Sequence, residues 1–185
     1  MTLGQAATLW TIRASLTCAW LAAAWLIARP PSPRRDGVVR GLWTAACALY
    51  LAHMTAAFGA HHGWSHAAAY AHVLSETRRL VGLNWGGGLY INYLFSAAWI
   101  VDCFYLWLGP GSKSRAVRCA RLAWLAFFLF IVVNATIVFH GGALRWVAVV
   151  AFVMLAALWL AFRGPSVHPP VADSNHASNM DHART

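Results

Sequence analysis

The sequence predicts an all-α fold: a polytopic membrane helical bundle of five transmembrane helices, with a short amphipathic helix on the outer face. Five long apolar runs carry this prediction, at about residues 6–28, 41–60, 89–108, 120–139 and 143–162. Each is close to the roughly 20 residues that a helix needs to cross the hydrocarbon core. In lipid only helices and closed barrels satisfy the backbone hydrogen bonds, so residues 1–163 are expected to form one transmembrane domain. Tryptophans near the ends of these runs are typical of interfacial anchors.

Basic residues between alternate runs predict how the helices cross the membrane. They lie in the first connection, in the third connection and after the fifth run: Arg29, Arg34, Arg35, Arg40, Lys113, Arg115, Arg118, Arg121 and Arg163. Because positively charged loops stay in the cytoplasm, we expect an outer amino terminus and a cytoplasmic carboxyl terminus in a bacterial inner (plasma) membrane. The net charge of +9 is then an orientation signal that also attracts anionic lipid. Nucleic-acid binding is not expected, since the chain has no basic soluble domain.

Each helix end has a sequence signal of its own. The first run has no basic segment before it, so it is expected to be a retained span rather than a cleaved signal peptide. The Arg-Pro-Pro-Ser-Pro segment at Arg29–Pro33 ends this span, because proline lacks a donor and restricts the preceding residue. Residues 164–185 are polar and lack apolar periodicity, which predicts a disordered cytoplasmic tail.

The second connection is the most distinctive segment of the chain. Residues 65–80 read SHAAAYAHVLSETRRL, an alanine-rich stretch in which Ser65 is placed to cap a helix. Its mixed apolar side predicts an amphipathic helix lying at the outer membrane face. The three consecutive glycines Gly86–Gly88 suit a close backbone approach, and they lack the Gly-Lys-Ser/Thr of a phosphate loop.

A one-sided group of histidines is the strongest functional pattern in the sequence. His61, His62, His66, His72 and His140 are all expected on the outer side of the membrane. Neutral imidazoles bind Zn²⁺ or Cu²⁺, so these residues are candidate metal ligands, with haem b as a less favoured cofactor. The competing interpretation is that they are interfacial and capping histidines, which their polarity alone would explain.

A second group of polar residues is predicted inside the bilayer. Arg13, His53, Asn92, Ser96 and Asn134 fall at similar depths on four different spans. They would either line a small polar cavity open toward the outside, for a headgroup, a quinone ring or an ion, or hydrogen-bond between helices and fix the packing.

Asp102 is the only acidic residue predicted within a span, about 20 Å from the outer end of its helix. An unpaired carboxylate at that depth costs several kcal/mol. We therefore expect it either to be neutral or to pair with a base from the cytoplasmic side, such as Arg118 or Arg121, and pairing is the favoured alternative.

A resemblance adds to these patterns. The segment GWSHAAAYAH, followed by GLNWGGGLYINYLF and a WIVD run, resembles parts of small uncharacterised bacterial integral membrane proteins over about residues 61–107. The resemblance implies a membrane family whose distinctive part is the outer connection and the start of the third span. It implies no activity and no site residue.

Three functions are consistent with the sequence. The favoured one is a non-catalytic membrane subunit whose outer helix and glycine loop dock a membrane or periplasmic protein. The alternative is a redox module that holds a metal or haem with the outer histidines. A small transporter or channel, which a homo-oligomer could form, is the third. A non-enzymatic role is favoured because the chain offers no nucleotide loop, no Ser-His-Asp pattern and no carboxylate pair placed for hydrolysis.

Overall fold

The computed structural model describes residues 2–109, 114–138 and 143–162, and within these ranges the secondary structure is helical. The helices are α1 (Leu3–Ala28), α2 (Pro33–His62), α3 (His66–Val81), α4 (Gly88–Leu108), α5 (Arg115–Val133) and α6 (Ala143–Phe162), and a π-helical turn at Asn134–Val138 extends α5. Every helix except α3 is long and apolar enough to cross a membrane, which gives five candidate spans. The predicted all-α, multi-pass membrane bundle is therefore confirmed. The tail at 164–185 and His140 lie outside the described residues.

The helices extend beyond the apolar runs because polar residues cap them. The second run was expected to begin at about residue 41, but α2 begins at Pro33. The Ser32 hydroxyl accepts a hydrogen bond from the Arg35 amide at 3.2 Å, and proline fits the first turn of a helix. The fourth run was expected from residue 120, but α5 begins at Arg115, where Ser114 caps it in the same way. The proline-rich segment thus ends α1 and also begins α2.

Helices α1 and α2 form the most closely packed pair, and small residues allow it. A Cβ atom added to Gly4 would lie only 2.7 Å from the Cβ of Ala60. Further along, Ser15 is 1% exposed, and its hydroxyl donates to the Ala46 carbonyl at 2.7 Å. Small residues are what membrane helices use to bring their backbones together.

Aromatic side chains fill the space between α2, α4 and α5. Phe95 of α4 is 2% exposed, and its ring centroid lies 5.1 Å from that of Tyr50 and 5.5 Å from that of Phe128. Trp99 lies edge-on to Phe128 at 4.9 Å. Because each contact is made by two large rings, the backbones of α4 and α5 stay further apart than those of α1 and α2.

The bundle has two chemically different ends. We call one the α3 end: it contains α3, the last turns of α2 and the first turn of α4. We call the other the arginine end, where α1 gives way to α2 and where α5 begins. Arg29, Arg35 and Arg115 lie there, and Arg29 stacks over the ring of Trp25 at 4.9 Å.

Candidate functional site

The turn between α2 and α3 is held in a strained conformation by packing. Gly63 ends α2 with φ +54°, and Trp64 follows with φ +63°, which a bulky side chain rarely adopts. The Trp64 indole lies over Gly59, where an added Cβ would come within 3.1 Å of the ring. Ser65 then caps α3, as predicted, because its hydroxyl accepts from the Ala68 amide at 3.2 Å.

The glycines before α4 let α3 pack directly on the chain. An added Cβ at Gly86 would lie 2.6 Å from the Tyr70 ring, and one at Gly88 would lie 3.1 Å from Val73. On the same helix Ala69 and Thr77 are buried. The close backbone approach predicted for the three glycines is confirmed. As a consequence, α3 contacts the start of α4 closely at these points although it is not itself a membrane span.

A connected group of rings lies on the α3 end. We call it the ring surface, and it consists of His62, His66, His72, Tyr90 and Tyr93. The ring centroids of His66 lie 5.8 Å from Tyr90 and 6.0 Å from Tyr93, and the two tyrosines are 6.3 Å apart. Phe58 links them to His62, whose ring lies 5.2 Å from that of His72. Tyr90 remains 55% exposed and Tyr93 37% exposed.

The predicted metal ligands are only partly brought together. His62 faces His72, whereas His66 faces the two tyrosines and His61 is exposed beside His62. Among the described residues no group of three His, Cys, Asp or Glu side chains could hold a metal ion. A structural zinc site needs four ligands, and His62 and His72 could supply two of them. Zn²⁺, Cu²⁺ and haem b at this end stay predictions, since His140 lies outside the described part of the chain.

Glu76 has a different partner from the one that its spacing indicated. It lies four residues after His72, which would allow a pair on one helix face. Its carboxylate instead accepts from the Arg79 guanidinium at 2.7 Å. This hydrogen bond lowers the pKa of Glu76 and raises the pKa of Arg79. Arg78 on the same helix is exposed to solvent.

The residues of the predicted polar layer make contacts of different kinds. His53 joins two helices, because its Nδ1 lies 2.8 Å from the Thr8 carbonyl oxygen of α1. Ser96 donates to the Asn92 carbonyl within α4 at 2.8 Å, and Asn134 donates to its own helix. The Arg13 guanidinium lies over the ring of Trp10 on the same helix, at 5.3 Å. His53 thus makes a contact between helices, and the choice between a polar cavity and interhelical packing for the layer as a whole stays a prediction.

Asp102 lies at the centre of a cluster of polar side chains near the arginine end. It is 7% exposed, and its Oδ2 accepts from the indole Nε1 of Trp43 at 2.9 Å. Its Oδ1 lies 3.9 Å from Nε of Arg121, so the predicted pairing with Arg121 is confirmed. Sequence reasoning missed Trp43, which lies well inside α2. An indole N–H at that depth has no water as a hydrogen-bond acceptor, so it needs an acceptor from the protein. This need could have predicted a polar partner for Trp43.

A groove of about 530 Å³ between α4 and α5 opens beside this group. Its α4 wall runs from Leu94 to Tyr105 and includes Asp102, and its α5 wall includes Arg121 and Trp124. Trp124 Nε1 and Arg121 Nε are buried, yet neither has a hydrogen-bond partner within the described structure. The groove is thus mostly apolar, and the two donors lie buried behind its surface.

Together the helices and their apolar surface define a multi-pass helical membrane protein. No protein-family model, curated protein or solved structure matches this chain. The similarity to small bacterial membrane proteins over residues 61–107 therefore stays a prediction.

Proposed function

We propose that this protein is a non-catalytic membrane subunit that docks a protein partner through the ring surface at its α3 end. The observation that carries the proposal is that these rings are exposed beside the close contacts that Gly86 and Gly88 make with α3. Tyr90 is 55% exposed at the start of α4, next to glycines that leave no room for even a Cβ against α3. Tyrosine is enriched at the centres of protein interfaces, and a preorganised surface loses little entropy on binding.

The charge of this end supports an acidic partner. The ring surface offers imidazole N–H and phenol O–H donors, and Arg78 adds an exposed positive charge. The only carboxylate on α3, Glu76, is already paired with Arg79. A partner that presents carboxylates would complement these groups and would be guided to them by electrostatic attraction.

The distribution of arginines supports a bacterial inner-membrane location with the α3 end outside. Arg29 lies between α1 and α2, and Arg34, Arg35 and Arg40 lie in the first turns of α2, whereas the α3 end carries fewer basic residues. Positively charged connections stay in the cytoplasm, so the docked partner would be periplasmic or the outer part of another membrane protein. A reporter inserted at Gly63 should be external and one fused after Leu108 cytoplasmic. A cytoplasmic signal at Gly63 would reverse the assignment.

Site-specific photo-crosslinking tests the docking proposal. A photoreactive amino acid placed at His66 or Ala71, both exposed on α3, should form one adduct of defined mass in native membranes. Mass spectrometry should identify the same acidic protein from both positions. Removing an exposed ring from the surface with Tyr90→Ala should weaken the adduct.

The control is Trp10→Ala, which removes an aromatic side chain that is 63% exposed on α1 and lies outside the ring surface. The Trp10 variant should crosslink as the wild type does. Equal crosslinking in the Tyr90 and Trp10 variants, or adducts with lipid alone, would refute the docking proposal. An adduct of twice the chain mass would show that the partner is a second copy.

A metal site at the same end is the second candidate, because the His62 and His72 rings face each other at 5.2 Å. If these two residues anchor Zn²⁺ or Cu²⁺, the added metal should raise the melting temperature of the wild type and leave a His62→Ala, His72→Ala variant unchanged. Binding should weaken as the pH falls through about 6, since protonation removes the imidazole lone pair. No shift with either metal would leave docking as the single proposal.

A further inference from the structure

We infer that Cys47 and Cys103 form a redox pair, which an uncharged, lipid-soluble oxidant converts into a disulfide between α2 and α4. The inference is independent of the docking proposal, because neither cysteine belongs to the ring surface. It depends on the contact between the two thiols, on the contacts that hold the helices around them and on the apolar surroundings of the pair.

The two thiols meet where α2 packs on α4. The chain has four cysteines, and all are free thiols. Cys47 and Cys103 belong to one buried cluster, in which they are 4% and 8% exposed. Their side chains hydrogen-bond to each other. A disulfide forms only between sulfur atoms that can approach closely, and this pair is placed to do so.

Contacts on both sides of the pair hold the two helices in register. Three residues before Cys47, the Thr44 hydroxyl accepts from the Trp107 indole of α4 at 2.9 Å. Three residues after Cys47, the ring centroid of Tyr50 lies 5.5 Å from that of Trp99 on α4. These contacts keep the two helices from sliding, so the cysteines stay opposite each other. Such positioning raises the effective concentration of one thiol beside the other.

The number of ligands favours a redox reaction over metal binding. A structural zinc site needs four ligands. Within residues 2–109, 114–138 and 143–162, no third His, Cys, Asp or Glu joins the two thiols in a group that could hold a metal ion. A soft monovalent ion held by two thiolates would leave a net negative charge beside Asp102, which is costly in a buried position. A disulfide needs only the two sulfur atoms and carries no charge.

The surroundings of the pair select the kind of oxidant. Both cysteines line a groove of about 240 Å³ between α2 and α4, and its other lining residues are mostly apolar. Phe104 and Trp107 in its walls are 64% and 57% exposed, so the groove opens toward lipid. A charged reagent such as glutathione disulfide would lose its hydration there, whereas an uncharged azo compound or quinone would not. The co-reactant is therefore an oxidant of this uncharged class.

The azo compound diamide supplies the reaction with a balanced co-reactant. One thiol adds across the N=N bond, so that an S–N bond forms and the thiol hydrogen passes to the second nitrogen. The other sulfur then attacks the first sulfur, so that the S–S bond forms and the S–N bond breaks. The remaining thiol hydrogen passes to the leaving nitrogen. The two thiols are thereby oxidised to a disulfide, and the azo group is reduced to a hydrazine.

The test treats the full-length protein in nanodiscs with diamide, unfolds it, and labels the remaining thiols with a maleimide. Intact mass spectrometry then counts the labels. Untreated protein should carry four labels, one on each cysteine, and treated protein should carry two fewer. Peptide mapping should place the disulfide between Cys47 and Cys103. Cys47→Ala and Cys103→Ala should each lose this disulfide completely, and two independent variants guard against the misfolding of either one.

The matched controls are the same substitution at the other two cysteines, Cys18→Ala on α1 and Cys119→Ala on α5. Both variants should form the disulfide at the wild-type rate. Cys119 is exposed, so its removal also prevents disulfides between chains. A treated wild type that keeps all its thiols would overturn the inference. So would an equal yield of internal disulfide in Cys47→Ala, or a disulfide found only between two chains.

Discussion

Helix α4 and the glycine segment before it pack in contrasting ways on α3 and on α5. Toward α3 it relies on glycines, and an added Cβ at Gly86 would lie 2.6 Å from the Tyr70 ring. Toward α5 it relies on large rings, with Phe95 and Trp99 reaching Phe128 at 5.5 and 4.9 Å. Small residues bring backbones together, whereas large rings hold them apart and fill the space only where they interdigitate.

This difference explains why the two regions suit different tasks. The glycine contact closes the space beneath α3 and supports the exposed rings of Tyr90 and Tyr93 on a firm base. The aromatic contact fills the centre of the bundle, but below the rings it leaves the groove with Asp102 and Trp124 in its walls. Close packing therefore supports the exposed rings, and spaced packing leaves a groove.

The aromatic contact should be the more costly of the two to break. Phe95→Ala removes a ring that is 2% exposed and touches neighbours on both α2 and α5. We expect a loss of about 3–5 kcal/mol in the free energy of unfolding, measured by denaturation in mixed micelles. Phe104→Ala, on the same helix but 64% exposed, is the control and should change stability little. Similar losses of stability in both variants would mean that the buried ring cluster is not the main source of stability on α4.

The glycine contact should respond to a single added methyl group. Gly86→Ala forces the Tyr70 ring to move, and we expect a loss of about 1–3 kcal/mol in the same assay. At Gly37 an added Cβ meets nothing within 4 Å, so Gly37→Ala on α2 should instead stabilise the protein by about 0.5–1 kcal/mol. A Gly86→Ala protein as stable as the wild type would remove the contrast between the two sides of α4.

A hydrogen bond between helices should matter less than either kind of packing. His53→Leu removes the contact with the Thr8 carbonyl of α1. Polar contacts between membrane helices average about 0.6 kcal/mol and reach about 1.7 kcal/mol, so we expect a loss in that range. His61→Leu, at an exposed position of the same helix, should have a smaller effect. If both variants melted at the same temperature, the contact of His53 with α1 would not contribute to stability.

The surface charge pair on α3 should have the smallest effect. Because the hydrogen bond from Arg79 lowers the pKa of Glu76 below its ordinary value of 4.5, the pair stabilises α3 above that value. This contribution is lost as the pH falls through the lowered pKa. Thermal melts of the wild type and Glu76→Gln should therefore differ slightly near pH 7 and converge in acid. A stability difference between the two proteins that grows as the pH falls would contradict this prediction.

Much of the fold could be read from local patterns. The apolar runs predicted five spans, and Ser65 and the three glycines predicted α3 and its close contact, because capping and steric effects act over a few residues. Pairing of Asp102 with Arg121 followed from the cost of a lone carboxylate in lipid. The rotation of each helix about its axis could not be predicted from local patterns. Arg13 and Asn134 share the predicted depth of His53, but each makes its contact within its own helix.

The sequence by itself determined the class of protein and the positions of its polar residues along each helix, because hydrophobic length and charge act on each helix separately. Only the tertiary structure decided which side chains meet. It turned His66 toward Tyr90 and away from the other histidines, paired Trp43 with Asp102, and left Trp124 Nε1 without a partner beside a groove. The physical reason is that contacts between helices depend on the rotation and spacing of each helix. In this bundle those are set by where rings and glycines meet across the interfaces.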